Sequence, residues 1–143
     1  MNVQFTRQHI NRLCMPERYV VIVEDDLVNQ ANWAIFCANR YGGQGKTVAS
    51  IIGDAVQAWC LLSAMPYKPL WIALDYDLQN GNGYELLTYL NEINYGIPII
   101  AASGIPENNT RLVSLGAQFV VSDKAKSENL NMILNILEGV TSG

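Results

Sequence analysis

Residues 70–83 read LWIALDYDLQNGNG, a run of apolar side chains that ends at Asp75 and passes into asparagine and glycine. A short, wholly apolar run bounded by turn residues is typical of a strand buried on both faces of a parallel sheet. A carboxylate at the end of such a strand costs free energy unless a cation meets it or the group takes part in a reaction. Asp75 is therefore the first candidate functional residue.

Similar apolar runs occur on both sides of this stretch, and helical patterns separate them. With Leu70–Leu74 as the third strand, the other predicted strands are Tyr19–Val23, Thr47–Ile51, Ile97–Ala102 and Gln118–Val121. The predicted helices run over about Val28–Asn39, across Ala55–Leu62, from Gly83 to about Tyr95, around Asn109–Leu115 and from Ser127 to Gly139. This alternation predicts an α/β fold, with a five-stranded parallel sheet and helices on both faces.

Composition restricts the class of protein. The 143 residues suffice for one domain with a proper core, and the net charge of −4 without any lysine- or arginine-rich run argues against direct nucleic-acid binding. The widely spaced cysteines, Cys14, Cys37 and Cys60, suit neither a zinc site nor a disulfide framework. No segment has the pattern of a signal peptide or a transmembrane helix, so we expect a cytoplasmic domain without membrane contact.

A second acidic cluster follows the first predicted strand. Tyr19–Val23 leads directly into Glu24, Asp25 and Asp26, and sites in doubly wound parallel sheets lie beyond the carboxyl ends of the strands. If the first and third strands are neighbours, three or four carboxylates converge, and their mutual repulsion demands a divalent cation. Ligands that are all oxygen atoms point to Mg²⁺, whereas the alternative is that these residues are ordinary solvated acids of a loop.

Two further side chains suggest what such a site would bind. Ser103 ends the fourth predicted strand in the sequence AASG, and Lys124 follows the fifth strand. A carboxylate nucleophile, a metal ion, a hydroxyl and an ammonium group together suit phosphoryl transfer to an aspartate. In this arrangement Asp75 attacks phosphorus, Mg²⁺ neutralises phosphoryl oxygens, and the Ser103 hydroxyl and the Lys124 ammonium group contact the remaining oxygens.

With these residues in place, the chain resembles the receiver domain of bacterial two-component response regulators over Tyr19 to Val140. The matching segments are VVIVEDD at 20–26, LDYDLQNGNGYELL at 74–87, IPIIAASG at 97–104 and LGAQFVV at 115–121. The resemblance implies a flavodoxin-like, doubly wound sheet with the strand order 2-1-3-4-5. It also implies a phosphorelay signalling domain that accepts a phosphoryl group and is not a classical enzyme.

By this resemblance Asp75 is the phospho-acceptor and also part of the metal site. Mg²⁺ is held by Glu24, Asp25 and Asp75, with the backbone carbonyl of Asp77 as a further ligand. The side chain of Asp77 is an additional acid two residues past the acceptor. It either repels a phosphoryl group or orients a water molecule that shortens the lifetime of the phosphorylated state.

The resemblance also implies a conformational switch. Ser103 is the switch hydroxyl and Phe119 is the aromatic side chain that rotates with it. The phosphate contact falls to Lys124, but the family ends its fifth strand with Lys-Pro. Here residues 122–125 read SDKA, which places Lys124 one or two positions out of step.

Boundaries and partners follow from the same resemblance. We expect an N-terminal extension over 1–18, a receiver domain over 19–140 and a tail over 141–143. Because the chain ends soon after the fifth helix, output is expected through protein–protein contact, on the face formed by the fourth helix, fifth strand and fifth helix (Asn109–Leu137). The implied phosphoryl donor is a histidine kinase or a phosphotransfer protein, and a homodimer is compatible with the resemblance.

Two other interpretations remain open. Asp75-Tyr76-Asp77 is similar to the Asp-x-Asp motif of haloacid-dehalogenase-type phosphatases, but that motif normally lies on the first strand and is followed by a threonine where this chain has Gln79. The other interpretation is a pseudo-receiver that binds partners without phosphorylation. The displaced Lys124 favours it, whereas the acidic residues and Ser103 oppose it.

Overall fold

The structure, a computed structural model, describes residues 18–42, 47–122 and 127–139. Its main sheet is parallel and consists of β1 (Tyr19–Val23), β2 (Val48–Ile52), β3 (Ile72–Leu74), β6 (Ile99–Ala101) and β7 (Phe119–Val120). A small antiparallel pair consists of β4 (Asp77–Leu78) and β5 (Gly81–Asn82). The helices are α1 (Leu27–Tyr41), α2 (Ala55–Ala64), α3 (Gly83–Glu92), α4 (Pro106–Ser114) and α5 (Ser127–Glu138).

The strand order β2-β1-β3-β6-β7 confirms the predicted topology. When the strands of the main sheet are numbered by themselves, the order is 2-1-3-4-5, and the fold is the predicted doubly wound α/β fold. Parallel neighbours of this kind require crossover connections, which the helices supply.

Helices cover both faces of the sheet because side chains alternate along each buried strand. Tyr19, Val21 and Val23 of β1 pack in one core cluster with buried leucines of α2, α3 and α4. Val20 and Ile22 pack in a second cluster, which contains buried residues of α1 and α5. The sheet is therefore buried on both faces, as its uninterrupted apolar strands predict.

The C-terminal residues of all five strands of the main sheet are in register with one another. Val23 is paired with Ile52 on one side and with Leu74 on the other, and Leu74 is paired with Ala101, which is paired with Val120. The residues that follow these positions therefore emerge together at one edge of the sheet. This edge is where the predicted site should lie.

Several elements differ from the prediction, and α3 ends at Glu92, about three residues before the expected end near Tyr95. Helix α4 begins at Pro106, three residues before the expected Asn109, because proline is well suited to the first position of a helix. The pair β4–β5 was not predicted. It turns at Asn80, whose φ of 57° is in the left-handed region, and at Gly81, whose φ is 145°.

A partly buried ion pair joins the C-terminal ends of α1 and α5. Arg40 Nη2 lies 2.7 Å from Glu138 Oε2, and these side chains are only 13% and 5% exposed. Trp71 Nε1 and the Tyr41 hydroxyl also donate to Glu138. Burial alone would raise the pKa of Glu138, but hydrogen bonds from Arg40, Tyr41 and Trp71 hold this pKa below its ordinary value.

We expect Glu138→Gln to lower the free energy of unfolding by about 2–3 kcal/mol at pH 7, because it leaves the partly buried Arg40 without its anion. A lowered native pKa stabilises the fold above the unfolded-state pKa of about 4.3, and this contribution is lost as the pH falls through the native pKa. Urea unfolding at pH 7 and pH 3 measures it, with Glu92→Gln as the exposed control. If the difference in the free energy of unfolding between wild type and Glu138→Gln is as large at pH 3 as at pH 7, this role is contradicted.

Several predictions fall on residues that the structure does not describe. The extension over 1–18, except Arg18, the tail over 141–143 and the phosphate contact Lys124 lie outside the described ranges. Among the described residues, no helix is both long enough and apolar enough to cross a membrane.

Candidate phosphoryl and metal site

Three carboxylates converge at the carboxyl edge of the sheet. Glu24 and Asp25 follow β1 and Asp75 follows β3, and each offers an oxygen within 4.8 Å of the others. At an intermediate dielectric, two unit charges at this separation repel by about 3 kcal/mol. The convergence predicted from the sequence is therefore confirmed for these three residues.

The acidic pair of β1 is held by close packing. Glu24 is 1% exposed, and its carbonyl accepts a hydrogen bond of 2.6 Å from Gln30 Nε2. A Cβ atom at Gly53 would lie 3.3 Å from Cα of Asp25 and 3.4 Å from the Glu24 carbonyl oxygen. The loop that carries both acids therefore has little room to shift on this side.

Asp26 has a different role from its two neighbours. Its carboxylate caps α1 by accepting a 2.9 Å hydrogen bond from the backbone N–H of Asn29. Aspartate is a favoured helix cap because it satisfies a backbone donor that the helix cannot. The structure therefore places three acids at the site, whereas Asp26 is the N-terminal cap of α1.

The backbone of Asp75 is fixed by the start of α3. Asp75 Oδ1 accepts a 2.8 Å hydrogen bond from the backbone N–H of Tyr76. The N–H of Gly83 donates to the Tyr76 carbonyl at 2.7 Å, so the first residue of α3 is tied to the acceptor loop. A Cβ atom at Gly83 would lie 2.2 Å from the Asp75 carbonyl oxygen, and only glycine permits this approach.

Asp77 does not join the carboxylate cluster. It lies in β4 opposite Asn82, and it is exposed. The short pair β4–β5 is anchored to the loop between β2 and α2 through two backbone hydrogen bonds, in which Gln79 donates to Gly53 and accepts from Ala55. Asp77 is thus held beside the acceptor loop with its side chain in solvent.

Ser103 lies at the same edge, after β6, and is 2% exposed. Its Oγ accepts a 3.1 Å hydrogen bond from the backbone N–H of Ile105, which leaves the hydroxyl proton available to donate elsewhere. The backbone of Ser103 is bound by the side chain of Asn109, which is 3% exposed. Sequence reasoning missed Asn109, because an asparagine near a helix start normally indicates a turn or a cap.

Phe119 lies on the next strand of the sheet. Phe119 belongs to β7 and is paired with Ile100 of β6. It is partly buried and packs against the core cluster beneath α1 and α5. Phe119 therefore lies on the strand beside β6, the strand that Ser103 follows. Lys124, the remaining predicted contact, is outside the described residues.

The donor set fits a magnesium ion. Glu24, Asp25 and Asp75 supply only carboxylate oxygens, which Mg²⁺ prefers, and the cluster contains no histidine or cysteine ligand. Mg²⁺ is commonly held by one or two carboxylates together with phosphate oxygens and water. This chemistry suits a site in which one carboxylate also receives a phosphoryl group.

Comparison with known proteins gives one clear result. No family model matches the chain, and no curated protein matches it. Among solved structures, the receiver domain of the Francisella response regulator 1452 is 22% identical, with 85% of this chain and 96% of that chain covered and a TM-score of 0.66. A CheY-like receiver domain protein from Methanospirillum hungatei is 18% identical, with 85% and 94% covered and a TM-score of 0.69.

A third solved structure is that of the phosphorylated cyanobacterial phytochrome response regulator RcpA. It is 21% identical, with 85% of this chain and 89% of that chain covered and a TM-score of 0.64. At these identities the similarity is one of fold. These three structures are of response regulators or their receiver domains, as the motifs of the chain predicted.

Proposed function

We propose that this receiver-fold domain accepts a phosphoryl group on Asp75 in two-component phosphorelay signalling. The observation that carries the proposal is the convergence of Glu24, Asp25 and Asp75 within 4.8 Å at the carboxyl ends of neighbouring strands. Three carboxylates this close to one another repel, and a divalent cation among them lowers that repulsion. The same cation would also bind the negatively charged oxygens of a phosphoryl group on Asp75.

Mg²⁺ is the proposed cofactor. Glu24, Asp25 and Asp75 would hold it, and the backbone carbonyl of Asp77 would be a further ligand. When bound, Mg²⁺ would neutralise negative charge on the phosphoryl oxygens.

The residues of the chain provide the nucleophile and its orientation. An oxygen of Asp75 forms a bond to phosphorus while the nitrogen–phosphorus bond of a donor phosphohistidine breaks, and the histidine nitrogen keeps the electron pair. Asp75 Oδ1 accepts from the Tyr76 N–H at 2.8 Å, and this hydrogen bond helps to orient the carboxylate. Ser103 and Lys124 are the proposed contacts of the phosphoryl oxygens, and Phe119 is the proposed switch aromatic.

The proposed donor is a histidine kinase or a phosphotransfer protein in the cytoplasm. Output would occur by contact with a protein through the face of α4, β7 and α5, over Asn109–Leu137. Exposed apolar side chains on this face support the proposal, namely Val113, Val120, Met132 and Ile136. Leu112 does not contribute to it, because Leu112 is fully buried in the core.

Phosphate-affinity electrophoresis after incubation with acetyl phosphate tests the proposal. We expect a shifted band that requires Mg²⁺, is lost in Asp75→Asn and is retained in Asp77→Asn, which removes an exposed acid outside the cluster. Absence of the band in wild type, together with absence of Mg²⁺ binding, would contradict phosphorylation and support the pseudo-receiver. Continuous release of phosphate without a stable band would instead support the phosphatase.

The side chain of Asp77 is expected to influence the lifetime of the phosphorylated state. It is exposed and lies two residues from the acceptor, where it is able to orient a water molecule for attack on phosphorus. If it does so, Asp77→Asn slows dephosphorylation by about tenfold or more, because general-base assistance is usually worth more than that. A rate of dephosphorylation equal to that of wild type, measured after removal of the phosphodonor, would exclude this role.

A further inference from the structure

The side chain of Asn109 makes a two-point contact with the backbone of Ser103. Asn109 Oδ1 accepts from the Ser103 N–H at 2.8 Å, and Asn109 Nδ2 donates to the Ser103 carbonyl at 2.8 Å. Both residues are buried, at 3% and 2% exposure. A planar amide that binds both polar groups of one residue fixes the position and the orientation of that residue.

This contact connects two different parts of the fold. Ser103 follows β6 at the edge that holds the carboxylates, whereas Asn109 lies in the first half of α4. The residue at the helix cap, Ile105, provides no side-chain cap, and its own N–H donates to Ser103 Oγ at 3.1 Å. The start of α4 is therefore bound to Ser103 through both the hydroxyl and the backbone of the serine.

A second connection runs from α4 to the acceptor loop. Arg111 Nη1 lies 3.2 Å from the hydroxyl of Tyr76, the residue next to Asp75, and the guanidinium lies 5.7 Å from the centre of the Tyr76 ring. This pair is exposed, so water and salt screen it. The buried amide contact is therefore the stiffer of the two connections.

We propose that Asn109 is a positioning residue that transmits displacement of Ser103 to α4. The inference rests on the proposed function, in which Ser103 moves toward a phosphoryl group on Asp75. Because the amide holds both the N–H and the carbonyl of Ser103, such a movement either carries the start of α4 with it or breaks two buried hydrogen bonds. The first outcome requires no loss of buried hydrogen bonds, so α4 moves with Ser103.

The experiment compares wild type with Asn109→Ala and with the control Asn108→Ala, which alters the neighbouring, partly exposed asparagine. Amide chemical shifts of ¹⁵N-labelled protein are recorded before and after addition of beryllofluoride and Mg²⁺, an analogue of the phosphorylated state. In wild type and Asn108→Ala, we expect Gly104 and the α4 amides of Leu112 and Val113 to shift together. In Asn109→Ala, we expect Gly104 to shift as in wild type and the α4 shifts to fall by at least about twofold.

If the role of Asn109 is purely structural, Asn109→Ala lowers the stability of the protein, but the amides of Gly104 and of α4 still shift together. Full α4 shifts in a folded Asn109→Ala protein would overturn the inference. If that variant does not fold, Asn109→Asp is used, because it keeps the acceptor for the Ser103 N–H and loses the donor to the carbonyl. In Asn109→Asp we again expect a full shift of the Gly104 amide with reduced shifts of the α4 amides. Full α4 shifts in this variant overturn the inference.

Electrophoresis of separate portions of the same proteins, treated with acetyl phosphate and Mg²⁺ without beryllofluoride, distinguishes the two possible failures. If wild type is phosphorylated but the α4 amides shift equally in wild type and Asn109→Ala, only the role of Asn109 is overturned. The same holds if these amides shift in neither protein. A wild type that shows neither a band nor any shift overturns the proposed function as well.

Discussion

Gly83→Ala is expected to destabilise the domain by about 3 kcal/mol and to slow phosphorylation of Asp75 by about a hundredfold. The new Cβ would lie 2.2 Å from the Asp75 carbonyl oxygen and 3.2 Å from Cγ of Leu74, so the acceptor loop or α3 must shift. Position 83 is the first residue of α3, where alanine by itself favours the helix. A loss of stability therefore reports the steric conflict and not a loss of helix propensity.

Gly104→Ala is the matched control for stability, because a Cβ at this position meets nothing within 4 Å. Urea unfolding should leave Gly104→Ala within about 0.5 kcal/mol of wild type. Phosphorylation of Gly83→Ala is followed by the rate at which the shifted band appears in acetyl phosphate. Unchanged stability and an unchanged rate in Gly83→Ala would show that the close approach of α3 to Asp75 is not needed.

Asp25→Asn is expected to raise the stability of the protein in the absence of Mg²⁺ and to weaken the binding of Mg²⁺. Without Mg²⁺, the variant should be more stable than wild type by about 1 kcal/mol, because it removes one of three carboxylates that lie within 4.8 Å of one another. Mg²⁺ at about a hundredfold above its dissociation constant should stabilise wild type by about 2.7 kcal/mol, and this gain should largely disappear in the variant. Removal of Mg²⁺ by a chelator should return wild type to its lower stability.

The control for this experiment is Asp77→Asn, which changes the net charge by the same amount and alters an exposed acid outside the cluster. It retains the backbone carbonyl of residue 77, so stabilisation by Mg²⁺ should remain. Thermal unfolding of the three proteins with and without Mg²⁺ makes the comparison. Equal stabilisation by Mg²⁺ in Asp25→Asn and in wild type would place the metal site elsewhere.

The fold and the acidic cluster were predictable because the signals lie within short segments. Apolar runs that end abruptly in Glu24-Asp25 and in Asp75 indicate both buried strands and the edge at which they end. The resemblance then supplies the order of the strands, and the register of β1 and β3 brings the acids together. The short segments therefore indicate the strands and the acids, whereas the order of the strands was predicted only from the resemblance.

Other features depend on contacts that no local pattern reports. Asn109 binds Ser103 across a loop, and its residue type by itself indicates only a turn or a cap. Arg40 and Glu138 are 98 positions apart, and each could equally be an exposed helix residue in the sequence. The pair β4–β5 has strands of two residues, which are too short to produce an alternating pattern.

The most direct test of the central claim is chemical identification of the phosphorylated residue. The protein is incubated with acetyl phosphate and Mg²⁺ and then treated with borohydride, which reduces an aspartyl phosphate to homoserine. The peptide that contains residue 75 is sequenced by mass spectrometry. Our account predicts homoserine at position 75, dependent on Mg²⁺, with Asp25 and Asp77 unchanged; conversion of another acid, or none at position 75 under these conditions, would contradict it.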